Sequence, residues 1–167
     1  AAIIDKVFNF ARQKGMLIVV SAGNSAANLQ SAGVIFDTFC DAPHVICVTA
    51  TGPTSAPGVN GPWANPDAFA SYSNFGLGAI SVAAPGGSGA GFVWSFCARR
   101  SLVKVKLPDG STVDTFPCAS GNFVLGFAGT SQAAPHVTGL AALLVAQLGH
   151  GNPAQIASVI KASSDDL

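Results

Sequence analysis

One serine in this chain stands where a nucleophile would be expected. Ser131 lies in the string FAGTSQAAPHV, residues 127–137, at the predicted start of a long apolar helix. Free backbone N–H groups and the positive end of the helix dipole favour the negative charge that forms when a hydroxyl attacks a carbonyl. The same position also suits a simple N-cap serine. Ser131 is therefore a candidate nucleophile, with the N-cap as its structural alternative.

The nearest histidine is poorly placed to act as the base. His136 follows Ser131 by five positions, and five residues of an α-helix turn a side chain about 140° away from the first. We expect His136 to be a packed, hydrogen-bonded core histidine. His44 precedes a predicted strand and His150 lies beyond the helix, so neither has a reason to meet Ser131. The residues alone supply a nucleophile without a base.

A second serine-hydrolase pattern is present around Ser131, but the order of the catalytic residues in this chain does not match it. The string GTSQA, residues 129–133, is close to the G-x-S-x-G turn of α/β-hydrolases, in which an acid and then a histidine follow the serine. Here the acids that follow are Asp165 and Asp166, and no histidine comes after them. The α/β-hydrolase interpretation is therefore excluded.

Three apolar runs predict the strands that would position this serine. They cover residues 16–20, 45–50 and 79–83, and none of them alternates between apolar and polar side chains. Such runs are typical of strands that are covered on both faces, as in a parallel sheet. The sequence therefore predicts an α/β layered fold.

Three helices are predicted around these strands. The first ends at Gly15, and its apolar positions recur at helical spacing. The second, residues 131–148, is apolar nearly all round and is expected to be buried. The third begins at Asn152 and Pro153, a favourable N-cap and first-turn pair, and ends near Ala162. The apolar face of the first helix comprises Ile3, Ile4, Val7, Phe8 and Ala11.

Residues 92–118 predict an inserted β-hairpin. Residues 103–107 and 111–115 alternate between apolar and polar side chains on either side of a Pro-Asp-Gly turn. This stretch also holds half of the Lys and Arg residues of the chain, which we interpret as a solvated face and not as a binding patch. The four are Arg99, Arg100, Lys104 and Lys106.

The cysteines and the overall charge narrow the class of protein. Four cysteines, Cys40, Cys47, Cys97 and Cys118, match no zinc spacing but are compatible with two disulfides and an exported protein, and free buried thiols are the alternative. Cys97–Cys118 is the first choice for a pair. Eight basic and eight acidic residues give a net charge of zero, so neither nucleic acid nor a membrane is an expected partner.

A longer string identifies a family resemblance. Residues 129–139, GTSQAAPHVTG, resemble the active-site serine motif of the subtilisin-like peptidases (subtilases), G-T-S-x-A-x-P-H-V-x-G. Further similar blocks follow the family's chain order: VVSAGN at 19–24, PHVICVTA at 43–50, FASYSNFG at 69–76 and VAAPG at 82–86. In this family the histidine of the serine motif is structural, which agrees with the rotation argument for His136.

The resemblance implies a fold and an activity. The fold would be α/β, a subtilisin-like three-layer αβα arrangement with a mainly parallel sheet, of which residues 1–167 would form the C-terminal portion. The activity would be that of a secreted serine endopeptidase, extracellular or periplasmic, which cleaves peptide bonds through an acyl-enzyme. Ser131 would be the nucleophile and would add its own N–H to the oxyanion hole. Asn24 would donate its side-chain amide to the oxyanion.

The resemblance also implies substrate contacts. Ser21, Ala22 and Gly23 would line the specificity pocket and pair with an extended peptide through backbone hydrogen bonds. Gly129 and Thr130 are counted with these substrate-binding residues. No metal and no cofactor are assigned, because the familiar calcium sites of the family use upstream residues. Ser81 stands where a weaker cation site would need an acid.

Two members of the catalytic triad have no counterpart in this chain. Subtilases have the order Asp, His, Ser, and the first two blocks would precede Asn24, where 23 residues stand. Residues 1–5 look like the middle of a helix, so we expect the chain to be a fragment that is inactive alone. The Asp and His would lie on a preceding or separate segment. An open sheet edge and apolar face would then pair with that segment or with a second copy.

Two other classes of function stand beside the peptidase hypothesis. The first is a catalytically degenerate subtilase half that holds extended peptides without cleaving them. An upstream sequence without Asp and His would favour it. The second is an unrelated α/β binding domain, which would require the similar blocks to be accidental.

Overall fold

Three parallel strands form the main sheet of the molecule. The computed structural model describes residues 2–31, 39–56, 58, 61–121, 124–149 and 152–165. The strands β1 (Ile18–Ser21), β2 (Val45–Thr51) and β3 (Val82–Pro85) lie in the order β1-β2-β3. Their register places Val20 beside Cys47 and Val48 beside Val82. The predicted parallel arrangement is confirmed.

Two of these strands begin later than the apolar runs that predicted them. The N–H of Met16 donates to the carbonyl of Ala11, which keeps this residue with the end of the preceding helix. The N–H groups of Ala79 and Ile80 both donate to the carbonyl of Gly76, so these residues form a turn. Apolar side chains therefore continue into both connections, and hydrophobicity alone does not mark the residue at which strand pairing begins.

The three predicted helices are present, with ends close to those expected. They are α1 (Ala2–Gln13), α2 (Thr130–Leu148) and α3 (Pro153–Ala162). Gly15 follows α1 with a φ of +83°, a left-handed conformation that suits glycine. The side chain of Asn152 accepts from the N–H of Ala154 at 2.8 Å and caps α3. In the described residues, no helix combines the length and apolarity needed to cross a bilayer.

The helices cover opposite faces of the sheet. On one face, Val48 and Ala50 of β2 pack in a core with Ala133 and Val137 of α2 and with Ile156 of α3. The opposite face carries a second cluster, in which Val20, Ala22 and the two cysteines Cys40 and Cys47 pack with Phe8 of α1. Successive residues of a strand point to opposite faces, so this is a three-layer αβα arrangement.

Burial of the second helix departs from the prediction. Ala133, Val137 and Ala141 face the core, but Leu143 is 70% exposed on the outer side of α2. His136 is exposed as well, so its predicted place in the core is wrong. One face of α2 packs on the sheet, and the described residues do not cover the other. Burial of the apolar face of α1 is likewise incomplete, because Ile3 is 79% exposed.

Residues Val93–Phe127 form a second compact unit, separate from the unit made by Ala1–Phe92 and Ala128–Leu167. It contains the predicted hairpin, β5 (Val103–Lys106) paired with β6 (Thr112–Thr115), and the pair β4 (Val93–Phe96) with β7 (Val124–Phe127). The unit extends past residue 118 because β7 pairs with β4.

Charged side chains cover part of the hairpin surface. Lys104 and Asp114 form an ion pair of 2.9 Å across the hairpin, which is exposed and contributes little to stability. The side chains of Arg99, Arg100 and Lys106 are also exposed, in agreement with a solvated face.

Both cysteine pairs are disulfides. Cys97–Cys118 closes the base of the hairpin, as predicted, and Cys40–Cys47 joins the 3₁₀ turn Phe39–Asp41 to β2. The alternative of free buried thiols is therefore wrong.

Removal of the Cys97–Cys118 disulfide is expected to loosen the hairpin. The bridge spans 21 positions, and closing a loop of that length stabilises by about 3 kcal/mol, which corresponds to about a hundredfold in a local opening constant. Amide hydrogen exchange of residues 103–115 should therefore accelerate in the Cys97→Ala/Cys118→Ala variant. The Cys40→Ala/Cys47→Ala variant is the control and should leave these rates unchanged. Equal acceleration in both variants would contradict the local role of the bridge.

Candidate active site

Ser131 is the second residue of α2 and is exposed. The N-cap of this helix is Gly129, which makes no side-chain capping bond, so the N-cap alternative for Ser131 is wrong. The serine lines a shallow groove of about 450 Å³ at the carboxyl end of β1. The other groove residues are Val19, Val20, Ser21, Gly23, Phe39 and Ala134.

Asn24 accepts a hydrogen bond at the start of α2, where the N-cap residue Gly129 has no side chain that could do so. Its Oδ1 accepts from the backbone N–H of Thr130 and from the Thr130 hydroxyl, each at 2.9 Å. A backbone N–H can only donate, so the atom facing Thr130 must be the amide oxygen, and the orientation of the Asn24 side chain is settled. Its NH₂ group is therefore turned away from Thr130, on a residue that is exposed.

Thr130 is the centre of this contact and has no exposed surface. Its hydroxyl donates to Asn24 Oδ1 and accepts from the N–H of Gly23 at 3.1 Å. The side chain thus ties two consecutive residues of the loop after β1 to the start of α2. It holds the two segments together from inside the protein.

Burial divides the predicted substrate-binding residues into two groups. Ser21 and Gly23 are half-buried at the groove, and both line it. Ala22 and Thr130 have no exposed surface, and Gly129 is buried. Ala22 and Thr130 therefore do not line the groove in this structure, and the substrate-binding role of Gly129 stays a prediction.

Gly86 and Tyr72 are two site-building residues for which no role was predicted. The Gly86 carbonyl accepts from the N–H of Gly129 at 2.8 Å. A side chain on Gly86 would place its Cβ 2.5 Å from the Cβ of Ala50, so only glycine fits this crossing. Both residues lie within the sequence blocks that are similar to blocks of the subtilases, and this similarity could have indicated a role for them.

The Tyr72 hydroxyl lies 2.8 Å from the carbonyl of Gly87 and 3.1 Å from that of Gly86. Burial raises the pKa of the Tyr72 hydroxyl, and a bond with the Gly129 backbone opposes this rise in part. A tyrosine hydroxyl is protonated at neutral pH in any case, and the raised pKa extends this state to higher pH. It therefore remains a donor to the glycine segment that supports Gly129.

The described histidines are engaged or placed away from Ser131. The Nδ1 of His136 lies 2.8 Å from the carbonyl of Gln132, which confirms the predicted hydrogen bond although the ring is exposed. His44 directly precedes β2 and so lies at the amino ends of the parallel strands, at the edge opposite to the groove. His150 lies outside the described residues. Within those residues, no three His, Cys, Asp or Glu side chains form a group that could hold a metal ion.

Comparisons with known proteins agree with this geometry. A family model described as the Subtilase family matches residues 1–167. The chain is 33% identical over 141 residues to the "Extracellular protease" of Xanthomonas campestris pv. campestris, covering 84% of this chain and 18% of that protein. It is 27% identical over 164 residues to the "Thermophilic serine proteinase" of Bacillus sp. strain AK1, covering 98% of this chain and 29% of that protein.

A solved structure shows the same fold. The structure of proteases from Pseudoalteromonas arctica PAMC 21717 matches with a TM-score of 0.64 and 26% identity, covering 99% of this chain and 41% of that chain. The chain thus spans less than a third of the two curated relatives and less than half of the solved protease. The match of the family model over the full length, with the parallel sheet and the serine at the start of α2, shows that the chain belongs to the subtilase family.

Proposed function

We propose that this chain contributes the nucleophile and the oxyanion-binding part of a serine endopeptidase active site. The observation that carries the proposal is that the amide oxygen of Asn24 is bonded to Thr130, the residue directly before the exposed Ser131. The hydroxyl of Ser131 would attack the peptide carbonyl, and the peptide would be cleaved through an acyl-enzyme. The base and its orienting acid would come from the Asp and His of a longer protein.

Two donors near Ser131 suit the oxyanion. The N–H of Thr130 already donates to Asn24, and those of Gln132 and Ala133 donate to the Gly129 carbonyl. The N–H of Ser131 is the remaining donor of the first turn, and its position gives it no intrahelical acceptor. Together with the NH₂ of Asn24 it would stabilise the negative charge of the tetrahedral intermediate.

The groove beside Ser131 suits an extended peptide. Ser21 and Gly23 line its wall, and an extended substrate would lie along the end of β1. Val19, Val20 and Phe39 make the lining largely apolar, so an apolar substrate side chain would be favoured there. The remaining walls of the site would come from the same longer protein as the Asp and His.

Two disulfides support a secreted protein, because disulfides persist in oxidising compartments. A relative named "Extracellular protease" supports the same proposal. The exposed apolar side chains of α1 and α2 would be covered by the segment that carries the Asp and His, or by a second copy of this chain.

Labelling with a fluorophosphonate tests the nucleophile. In the complete protein the probe should modify Ser131, because only an activated serine reacts with it. The Ser131→Ala variant should lose both labelling and peptide hydrolysis but keep its affinity for the peptide. Unlabelled Ser131 in a protein that contains the Asp and His would favour the degenerate, peptide-holding alternative.

Substitution of Asn24 tests the oxyanion hole. We expect Asn24→Ala to lower kcat about 10²- to 10³-fold with little change in KM, which is the effect of removing the oxyanion-hole asparagine of subtilisin, a member of this family. Thr130→Val removes the hydroxyl but keeps the N–H, and should cost a smaller factor of about 10. Thr130→Ser retains the hydroxyl and is the matched control. Steady-state kinetics in which Asn24→Ala raises KM and spares kcat would contradict the assignment.

The 167-residue chain alone is expected to have no peptidase activity. A serine without its base retains only the oxyanion hole and binding effects. Turnover of a fluorogenic peptide by the purified chain should therefore not exceed that of its Ser131→Ala variant. Turnover that disappears on Ser131→Ala would overturn this expectation and would place a base within the chain.

A further inference from the structure

Asn74 holds the loop that carries Asn24 and has no exposed surface. Its Oδ1 accepts from the N–H groups of Ser25 and Ala27 at 3.0 and 2.9 Å. Its Nδ2 donates to the carbonyl of Ala22 at 2.8 Å. These three backbone groups flank Asn24 on both sides in the chain.

Only a carboxamide in one orientation satisfies these contacts. Two backbone N–H groups require an acceptor on one side of Asn74, and the Ala22 carbonyl requires a donor on the other. An aspartate would keep both acceptor bonds but would set an oxygen against the Ala22 carbonyl. An alanine would leave all three backbone groups without this partner, and unpaired buried groups destabilise the conformation that exposes them.

The anchor for Asn74 is the central strand of the sheet. The Thr49 hydroxyl of β2 donates to the Asn74 carbonyl at 2.8 Å and lies 2.6 Å from the Ser73 hydroxyl. The Ser73 hydroxyl also accepts from the N–H of Ala50 at 3.0 Å. The N–H of Asn74 adds a bond of 2.9 Å to the Gly23 carbonyl. A buried polar path therefore runs from β2 through Asn74 to the loop.

Asn24 is thus held from two directions. Thr130 orients its amide, and Asn74 sets the backbone from which that amide extends. We propose that Asn74 is a positioning residue for catalysis, which acts by keeping the Asn24 amide at the place where the oxyanion forms. This inference rests on the proposed function of Asn24. A displacement of about 1 Å at a catalytic group lowers the rate about a hundredfold.

A double-mutant cycle in the complete protein tests this role. Asn74→Ala and Asn74→Asp are each made in the parent and in Asn24→Ala, with kcat expressed per serine titrated by the fluorophosphonate. In the parent we expect kcat to fall about 10- to 100-fold with KM unchanged within about twofold. In the Asn24→Ala background the same substitutions should lower kcat no further, because they act through the missing amide.

Ser81→Ala is the matched control. It removes a hydroxyl that accepts from the N–H of Cys47 at 3.1 Å, a bond that involves neither Asn74 nor the Asn24 loop, and should leave kcat unchanged. An equal fall in kcat in both backgrounds, or no fall in the parent, would overturn the proposal. Loss of every titratable serine in both Asn74 variants would assign Asn74 to folding and overturn it too. Failure of the parent protein to label would instead contradict the proposed function.

Discussion

The contact between Asn24 and Thr130 is the interaction on which the candidate site depends. It joins segments 106 positions apart in the chain, the loop after β1 and the start of α2. Because the N–H of Thr130 can only donate, the amide oxygen is held inward and the NH₂ is turned outward. The same contact caps a helix whose own N-cap is a glycine. One pair of residues therefore both completes the helix end and orients the candidate oxyanion donor.

The parallel sheet makes this contact possible. In a parallel sheet the carboxyl ends of the strands meet at one edge, and ligand sites form there. The segments after β1 and β3 and the start of α2 meet at this edge through short backbone bonds, such as Gly129 N–H to the Gly86 carbonyl at 2.8 Å. So close an approach leaves no room for a side chain on Gly86, and the small residues of this region follow from that crowding.

Local sequence patterns predicted which helices and strands form, but they predicted less well which side chains are buried and where the strands begin. The helices, the parallel strands, the hairpin and the Cys97–Cys118 pair all follow from periodicity, turn residues and spacing. The burial of α2 did not, because an apolar helix is predicted to be buried whether or not this chain supplies the second layer. Only the packed structure shows that Leu143 and His136 are exposed. Strand starts at Ile18 and Val82 depend on turn hydrogen bonds that apolar runs do not reveal.

The sequence by itself determined which candidate groups are present: a serine at a helix start and an asparagine at a strand end. The tertiary structure alone decided which residues face the groove. Ala22, Gly129 and Thr130 stand beside Ser21, Gly23 and Ser131 in the chain, yet the first three are buried and the others line the groove. It also assigned a place to Asn74, whose side-chain bonds to the Asn24 loop span 47 to 52 positions. Such long-range hydrogen bonds depend on how the strands and helices pack, and no local pattern encodes them.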